Sequence, residues 1–370
     1  MAVRHSPATM RTMISASDRL NSIERARHAV MVEGSQATPW VQGWISDSWR
    51  RCIAQGLKAD DALSFNPVSS SHIKQALDQN RDLIQSAKPE LERLGRAIAG
   101  TPFFALITDA QGVLLDLGGA IDRHDKRVSS IARVGVDLSE RAVGTTAISA
   151  ALTEMRPVWL HRSEHFFNDT AIYSCAGAPL WGSQGECIGM LDLTGVQTAE
   201  RPELMHLAAL SARSISNALL LRQPHHMLLR LNWPGRSMGD DNDGLVLLGS
   251  DGEVLGANPW AREMLNLHAH PHVHASDVFA LPWGLLFDAA NSDQAVEVPL
   301  WSGLQLQARV YVQHGYALDN QPKATGPLQQ LQSAMISKAI EQARGNVAQA
   351  AKVLGISRAT LYRKLSRKPS

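Results

Sequence analysis

The sequence is poor in the residues and runs that mark secreted or membrane-spanning chains. Its three cysteines, Cys52, Cys175 and Cys187, are too few and too scattered for a disulfide framework or a closed cysteine zinc site. No uninterrupted apolar run of about 18 or more residues occurs, and the N-terminal stretch has no apolar segment of a secretory signal. These absences predict a cytoplasmic chain without a membrane partner.

Charge is scarce overall and unevenly placed. Charged residues make up 19% of the 370 residues against 44% hydrophobic residues, and the formal net charge is +1, which is typical of a globular chain of several domains. From Glu341 to the C-terminus, Glu341 is the only acidic residue. The basic residues of that stretch are Arg344, Lys352, Arg358, Arg363, Lys364, Arg367 and Lys368. A small basic module of this kind indicates a polyanionic partner.

Residues 1–95 form the first segment and are predicted to be helical. Trp40, Trp44 and Trp49 recur at helical spacing and are interpreted as a core stripe, with a partner surface as the alternative. Pro89 and the glycines that follow it predict the end of this segment.

The rest of the chain alternates strand-like and helical patterns. Residues 96–222 carry apolar runs joined by polar turns and end in a long apolar helix over 203–221. A stretch rich in Pro, Gly and Asp over 222–243 is interpreted as a linker. A second small domain follows at 243–313, and helices are predicted within 328–370. The fold class is therefore α+β and multidomain, with an all-α C-terminal module.

Local turn signals support this division. Gly112 lies between two apolar runs, and residues 182–186 separate two further strand candidates, so both stretches predict hairpins. An Asp-Gly turn at Asp251 and Gly252 predicts a third hairpin, and Asn258 is placed to cap the helix after it.

The capping and turn residues of the C-terminal module are spaced as in a helix-turn-helix. A helix is predicted over 328–344, where Gly345 suits a helix C-terminus. Asn346 can cap a second helix that ends at Gly355, and Ser357 can cap a third after a tight turn. Two short helices joined by a turn that contains glycine have helix-turn-helix geometry.

The last helix of this module presents side chains suited to reading DNA. Residues that enter the major groove contact base edges, and arginine is suited to guanine, whereas lysines and arginines at the margins contact phosphates. The predicted DNA-binding residues are Lys352, Ser357, Arg358, Thr360, Tyr362, Arg363, Lys364 and Arg367. The alternative is a capped helical hairpin whose basic face is solvated.

Several motifs resemble one family of bacterial regulators. NVAQAAKVLGISRATLYRKL resembles the Fis-type helix-turn-helix of enhancer-binding transcription regulators, and DSWRRCIAQGL resembles the start of the acetoin catabolism regulator family. VGVDLSERAVGTTAISAAL and YSCAGAPLWGSQGECIGMLDLTG resemble the GAF sensor domain of that family, and DGLVLLGSDGEVLGAN resembles its PAS-like piece. The resemblance implies a GAF-like α/β sensor domain at 96–222 and a PAS-like α+β domain at 243–313.

The chain also departs from that family. Its members usually carry an AAA+ ATPase that opens promoters held by sigma-54 RNA polymerase. The dipeptide Gly-Lys occurs nowhere in this sequence, so a Walker A loop is excluded, and no GAFTGA-like loop is present. We therefore expect a ligand-responsive DNA binder that does not itself remodel sigma-54 polymerase.

Five residues of the sensor segment are candidate effector contacts. They are Trp159, His161, His165, Tyr173 and Cys175, which fall near predicted pocket walls. A thiol near an imidazole can also act as a nucleophile or as a redox switch. The alternative is that the free cysteine is a small buried hydrophobic residue of a strand, which is the more common case. Because the resemblance points to binding rather than turnover, no catalytic residue is predicted.

Four alternating histidines form a separate motif. On a strand, His268, His270, His272 and His274 would face one side and suit zinc, nickel or copper. Pro271 at their centre disfavours a paired inner strand, and a polar loop explains the same residues. The prediction is therefore no metal and no cofactor.

The sequence thus predicts a cytoplasmic transcription regulator, not an enzyme, that binds double-stranded DNA under the control of a small-molecule effector. One helix-turn-helix covers few base pairs, so a homodimer on a pseudo-palindromic site is expected, with the helices at 203–221 and 328–344 as dimer elements. RNA polymerase and a full-length paralogue are further candidate partners. The rivals are a sensor enzyme or redox protein using Cys175 and His165, and an architectural protein that binds DNA without sequence preference.

Overall fold

The structure is a computed structural model that describes residues 16–36, 38–267, 273–289 and 294–312. Two five-stranded antiparallel sheets follow one another along this part of the chain. The mixed helix and sheet content of the α+β prediction is confirmed.

The first sheet has the order β2-β1-β5-β4-β3. Its strands are β1 (Phe103–Asp109), β2 (Leu114–Gly118), β3 (Val158–His161), β4 (Tyr173–Trp181) and β5 (Cys187–Val196). Both predicted hairpins, β1-β2 and β4-β5, are confirmed. At the first turn Gly112 has φ +88°, and a Cβ there would lie 2.9 Å from the backbone nitrogen of Ser139. Glycine therefore meets both a conformational and a steric need at this turn.

Helices cover both faces of this sheet. They are α1 (Ala16–Arg27), α2 (Gly43–Ala54), α3 (Ser70–Gln79), α4 (Arg81–Ala97), α5 (Lys126–Ile131), α6 (Glu140–Val143), α7 (Ala147–Glu154) and α8 (Leu204–Leu221). A π-helical turn follows α1 at His28–Val32, and 3-10 turns lie at Arg162–Glu164 and Asn168–Thr170.

Strand alternation divides the core into two layers. Because successive side chains point to opposite faces of a strand, Phe103, Ala105 and Ile107 pack with α4 and α8, whereas Phe104 and Leu106 pack with α1, α2 and α7. All five side chains are buried. The sheet is thus enclosed between two helical layers, which explains why its strands are almost uniformly apolar.

The N-terminal helices are integral to this unit. Pro89 lies inside α4, which continues to Ala97, so the predicted boundary at residue 95 falls within a helix. Trp44 and Trp49 of α2 are buried in the core, as the stripe interpretation expects, while Trp40 precedes α2 and is 38% exposed.

Helix α8 is the one helix among the described residues that is long and apolar enough to cross a membrane by length and composition. Its Ala208, Ala212 and Ile215 side chains are buried against the sheet. A core helix passes the same test of length and composition.

The second sheet has the order β8-β7-β6-β10-β9. Its strands are β6 (Met227–Asn232), β7 (Gly244–Leu248), β8 (Val254–Ala257), β9 (Val296–Pro299) and β10 (Gln305–Val312). The accompanying helices are α9 (Pro259–Leu265), α10 (Ala275–Val278) and α11 (Gly284–Ala289). Side chains of α9 and α10 pack into the core on one face, and Leu220 of α8 packs with Leu245 and Leu247 on the other.

The linker predicted over 222–243 is wrong where β6 lies. This strand pairs with both β7 and β10 and is central to the sheet. Met227, Leu229 and Leu231 are fully buried, whereas Leu228 and Arg230 are half-buried. The strand is only six residues long. The proline, glycine and aspartate residues on both sides of it are typical of a linker and led to the wrong prediction.

The predicted cap of α9 is confirmed. The Asn258 side chain accepts a hydrogen bond from the backbone nitrogen of Ala261 at 2.9 Å, and Pro259 occupies the first turn. The Asp-Gly turn between β7 and β8 is also present, with φ +96° at Gly252.

Candidate functional site

A small cavity lies between the first sheet and the helical layer formed by α5 to α7. Its lining residues are Phe65, Ile131, Leu138, Thr146, Ala147, Ile148, His165, Thr170, Tyr173, Cys175, Asp192 and Thr194. The space that admits the centre of a water-sized molecule is about 10 Å³, which is room for roughly one water. A larger ligand must displace the surrounding side chains.

Strand register places the polar wall of this cavity. Cys175 of β4 pairs directly with Thr194 of β5, and Asp192 pairs with Gly177. A Cβ at Gly177 would lie 2.6 Å from the carbonyl oxygen of Ala147, so α7 packs directly on this position. The polar side chains of the two strands therefore share the face that α7 covers.

Asp192 is buried without a cationic partner among the described residues. One carboxylate oxygen, Oδ2, accepts a hydrogen bond from the Thr194 hydroxyl. The other, Oδ1, is buried and has no hydrogen-bond partner in the described part of the chain. Desolvation by burial raises the pKa of Asp192 to about 7, because the Thr194 hydrogen bond offsets only part of the cost of the charge.

His165 contributes a second unpartnered atom. Its Nδ1 lies 2.8 Å from the carbonyl oxygen of Arg162, which only accepts, so the ring proton is on Nδ1 and Nε2 is an acceptor. Nε2 is buried and has no hydrogen-bond partner among the described residues. Burial lowers the pKa of His165 to about 4, so the imidazole is neutral at physiological pH.

Tyr173 and Cys175 line the same cavity with their polar atoms already engaged. The Tyr173 hydroxyl donates to the carbonyl oxygen of Arg127 at 2.8 Å, and Cys175 Sγ lies 3.5 Å from the hydroxyl oxygen of Thr194. Burial raises the pKa of the Cys175 thiol well above its ordinary value. A thiol held in its protonated form is a poor nucleophile and a poor redox centre.

Trp159 and His161 lie on the opposite face of the sheet. Trp159 packs in the layer of α4 and α8, and its indole ring is stacked on the His161 imidazole at 6.3 Å between centroids. His161 Nδ1 lies 2.9 Å from the hydroxyl oxygen of Ser174. The structure thus brings three of the five predicted effector contacts to the cavity and separates these two from it.

Arg27 of α1 holds the segment that carries His165. Its guanidinium donates to the carbonyl oxygens of Ser163, His165 and Phe166 at 3.1, 2.6 and 3.0 Å, and to Asn168 Oδ1 at 2.8 Å. The side chain is buried, which lowers its pKa by desolvation. The N-terminal helices therefore fix the cover of the cavity.

Glu164 anchors the same segment from its other side. Its Oε2 accepts from the backbone nitrogen of His161 at 2.7 Å, and its Oε1 pairs with Arg19 of α1. Trp49 Nε1 donates to the Glu164 carbonyl oxygen at 2.9 Å. Burial raises the pKa of Glu164 to about 7 despite the ion pair.

A larger open groove of about 270 Å³ lies between α8 and α9. The Arg213 guanidinium lies over the Trp260 ring at 4.9 Å and also bonds to Asn242. Ser216 and Asn217, which line the groove, are both hydrogen-bonded. The buried cavity is the better candidate site, because its lining, unlike that of the groove, includes buried polar side-chain atoms without a hydrogen-bond partner among the described residues.

Two sequence motifs lie wholly or mainly outside the described residues. Of the four alternating histidines only His274 is described, and it caps α10 while its Nε2 lies 2.8 Å from the Asp251 carbonyl oxygen. Within the described ranges no group of three or more His, Cys, Asp or Glu side chains is placed to hold a metal. The predicted DNA-binding residues from Lys352 to Arg367 also lie outside these ranges and remain a prediction.

Sequence reasoning missed Asp192, Thr194 and Arg27. An acidic residue inside the apolar run of β5 was a usable signal, because an unpaired carboxylate rarely lies in a buried strand without a function. Arg27 had no such signal, since its partners lie more than 130 positions away along the chain.

Comparison with known families agrees with this architecture. The family described as "MimR, N-terminal domain" matches residues 19–217, which is more than half of the chain, and "Bacterial regulatory protein, Fis family" matches residues 327–367. The protein is thus of the transcription-regulator class, with a Fis-family DNA-binding helix-turn-helix. By the longer match, it belongs to the family defined by the MimR N-terminal domain, which spans the cavity and the helices around it.

Two individual relatives are named as a regulatory protein and as a transcriptional activator. The chain is 27% identical over 257 residues to the acetoin catabolism regulatory protein of Cupriavidus necator, covering 67% of this chain and 38% of that protein. It is 26% identical over 210 residues to the propane 2-monooxygenase operon transcriptional activator MimR of Mycolicibacterium smegmatis, covering 56% and 35%. The matches therefore span well under half the length of these relatives. The resemblance to acetoin catabolism regulators is confirmed.

Among solved structures, a chain of the E. coli DhaR(N)-DhaL complex is similar. The TM-score is 0.46 at 15% identity, and the match covers 74% of this chain and 100% of that chain.

Proposed function

We propose that this chain is a sequence-specific DNA-binding transcription regulator controlled by a small molecule held in the cavity between β4, β5 and the segment around His165. The observation that carries the proposal is a pair of buried, unpartnered polar atoms, Asp192 Oδ1 and His165 Nε2, in a family domain that precedes a Fis-family helix-turn-helix. Buried polar groups in folded proteins are rarely left unpaired, so such a pair supports a bound partner.

The proposal includes a division into functional segments. Residues 96–222 are a GAF-like sensor domain supported by the N-terminal helices of 1–95, residues 243–313 a PAS-like domain, and residues 328–370 the DNA-binding module. The five-stranded antiparallel sheets with helical cover support two separate α+β domains. Strand β6 extends the second of them toward its N-terminus.

Binding rather than catalysis fits the chemistry of the cavity. Cys175 is held as a thiol whose contact is a threonine hydroxyl, and His165 uses Nδ1 to bond the backbone. Neither arrangement activates a nucleophile. Because the sequence contains no Gly-Lys dipeptide, we also propose that the chain does not drive sigma-54 polymerase by ATP hydrolysis.

The effector acts, in this proposal, by shifting a dimer between two arrangements with different affinity for DNA. A homodimer on a pseudo-palindromic site supplies the specificity that one helix-turn-helix lacks. Helix α8 and the helix predicted at 328–344 are the proposed dimer elements, and the cytoplasm is the proposed location. RNA polymerase and a full-length paralogue remain the proposed further partners.

Selection of bound fragments from the protein's own genome, at physiological salt, tests this function. We expect enrichment of an inverted repeat with the wild-type chain and its loss in the double variant Arg358→Ala, Arg363→Ala. The double variant Arg93→Ala, Arg96→Ala removes the same charge from exposed positions of α4; it is the matched control and should retain enrichment. A wild-type chain that binds all fragments equally, with a steep salt dependence, would identify an architectural DNA protein instead.

A further inference from the structure

The turn between β4 and β5, residues 182–186, joins the first sheet to the edge of the second. Strand β8 pairs only with β7 among the described strands, so its outer edge is open to another partner. The carbonyl oxygen of Ser183 in the turn accepts a hydrogen bond from the backbone nitrogen of Ala257 at 2.9 Å. The Gln184 side chain donates to the carbonyl oxygen of Leu255 at 2.8 Å. The turn therefore occupies backbone groups on the outer edge of β8.

The sequence of β8 explains why its edge needs this cover. Edge strands commonly carry charged residues or proline, or are covered by another segment, because their free backbone groups pair readily with other strands. Strand β8 (Val254–Ala257) has neither a charged residue nor a proline. At its start the backbone nitrogen of Val254 donates to the Val273 carbonyl oxygen at 2.8 Å, and the turn covers the rest. The edge is thus protected by segments of the same chain.

Two glycines allow the turn to approach this closely. A Cβ at Gly256 of β8 would lie 2.9 Å from Ser183 Cβ, which is too close for two carbon atoms. Gly185 in the turn has φ +83°, and a Cβ there would lie 2.5 Å from Arg262 Nε of α9. Gln223, which follows α8, adds a hydrogen bond from its Nε2 to Ser183 Oγ at 2.8 Å. The turn therefore fits closely against β8 and α9.

The same hairpin also carries one wall of the cavity. Strands β4 and β5 are paired along their length, from Tyr173 beside the cavity to Trp181 beside the turn. An extended strand of this length spans roughly 27 Å. Coupling between distant sites is carried by rigid secondary structure of this kind. A displacement of the cavity wall therefore has a direct route to the turn.

We infer that the β4–β5 turn is a latch that couples the two sheets. While the turn is bound to β8, the second sheet opens only together with the first, so a change at the cavity wall reaches the second sheet. Once the turn is displaced, each sheet opens separately. The inference rests on the proposed sensor function for its regulatory meaning, because it gives the route by which the cavity acts on the rest of the chain.

Helix α8 is the alternative connection between the sheets. Its Leu220 packs with Leu245 and Leu247, and Asn217 Oδ1 accepts from Asn258 Nδ2 at 2.9 Å. These contacts do not include the turn. Displacement of the turn, with α8 left in place, therefore separates the two explanations.

Hydrogen exchange of the full chain, measured by mass spectrometry on peptides from β5 and β7, tests the latch. Tyr173→Phe is the change at the cavity wall, because it removes the hydrogen bond to the Arg127 carbonyl oxygen. Exchange of buried amides reports the opening of each sheet. In the otherwise native chain, Tyr173→Phe should speed exchange about fivefold in both peptides, the effect of one lost hydrogen bond on a shared opening.

Gly256→Ala displaces the turn. Its Cβ meets Ser183 Cβ, whereas the other near atoms are the ends of the flexible Leu220 and Gln223 side chains. In this background Tyr173→Phe should still speed exchange about fivefold in β5 but less than about twofold in β7. Gly284→Ala, also in the second domain, is the matched control, because outside its own helix and chain neighbours a Cβ there has no described atom within 4 Å. It should leave the response of both peptides as in the native chain.

A second variant keeps the test decisive if Gly256→Ala does not fold. Gln184→Ala combined with Gln223→Ala removes both side-chain hydrogen bonds of the turn without adding an atom, and it should reduce the response of β7 in the same direction. An equal response of β5 and β7 in the turn variants would overturn the latch and assign the coupling to α8. A β7 peptide that does not respond to Tyr173→Phe in the native chain would also overturn it. Because neither DNA nor an effector is used, such a failure is distinguishable from failure of the DNA selection.

Discussion

Two buried polar regions of this protein differ in how their hydrogen bonds are completed. Where α8 meets the second sheet, all four hydrogen-bonding positions of the Asn258 amide are used. Its oxygen accepts from the backbone nitrogens of Leu245 and Ala261, and its nitrogen donates to Asn217 Oδ1 and to the Asp243 carbonyl oxygen. Asp243, fully buried beside it, accepts from Arg230, Asn232 and Gly239.

The polar wall of the cavity at the first sheet is equally buried, but its hydrogen bonds are incomplete. Asp192 Oδ1 and His165 Nε2 have no partner among the described residues, and the carboxylate has no cation beside it there. A fully satisfied network fixes the geometry of the residues that form it, whereas unsatisfied buried groups cost stability. The two regions should therefore respond differently to substitution and to pH.

The largest effect is expected at the cover of the cavity, in Arg27→Met. This change removes the donors that serve three backbone carbonyl oxygens and Asn168. Because buried acceptors are then left unpaired, we expect the free energy of unfolding to fall by about 4 kcal/mol. Urea unfolding of the full chain measures this loss.

Arg25→Met is the matched control for that prediction. Arg25 lies in the same helix but is exposed, so its replacement should change stability by less than about 0.5 kcal/mol. Equal effects of the two substitutions would show that the cover is not held by Arg27.

Asp192→Asn should reveal the cost of the unpartnered carboxylate as a pH dependence. The folded pKa of about 7 lies above the ordinary value of 3.8, so the folded protein binds the proton more tightly than the unfolded chain does. This contribution is complete at low pH and is lost as the pH rises through 7. Between about pH 5 and about pH 8 the variant should gain about 3 kcal/mol relative to wild type.

Thr194→Val sharpens this test. The Thr194 hydrogen bond lowers the pKa of Asp192, so its removal should move the pH-dependent loss of stability to higher pH. Thermal unfolding as a function of pH measures both variants. A constant difference between Asp192→Asn and wild type across the pH range would contradict the assignment of a buried, titrating carboxylate.

Where α8 meets the second sheet, Asn258→Ala should lower the free energy of unfolding by about 2 kcal/mol at any pH. The change removes the cap of α9 and leaves buried partners of the amide unpaired. Gln305→Ala is a control at an exposed amide side chain of the second sheet. If Asn258→Ala changed the free energy of unfolding only at some pH values, or hardly at all, the Asn258 network would not differ from the cavity in the way expected.

Much of the fold could be predicted because its signals are local. The hairpin at Gly112, the turn at Gly252 and the cap at Asn258 each depend on a few neighbouring residues with defined backbone needs. Strand β6 was missed because its six residues lie between two groups of turn residues, and pairing with β7 and β10 decides its structure.

The candidate site was less accessible to sequence reasoning. Tyr173 and Cys175 were found at the cavity because both lie at alternating positions of β4. Trp159 and His161 were grouped with them although they face the other side, and only the register of β3 on β4 separates the two sets. Asp192 and Arg27 depend on contacts between distant segments, which no local pattern records.

The smallest effect is expected for Tyr173→Phe, which tests a predicted effector contact directly. The Tyr173 hydroxyl donates to the Arg127 carbonyl oxygen rather than into the cavity, so its loss should lower the free energy of unfolding by about 1 kcal/mol. The pH dependence that comes from Asp192 should be unchanged, because burial and the Thr194 hydrogen bond are the causes of the shift in the pKa of that carboxyl. Urea unfolding at several pH values measures both quantities. A loss of stability as large as that expected for Arg27→Met would show that the hydroxyl holds more of the cavity wall than its contact with the Arg127 carbonyl oxygen.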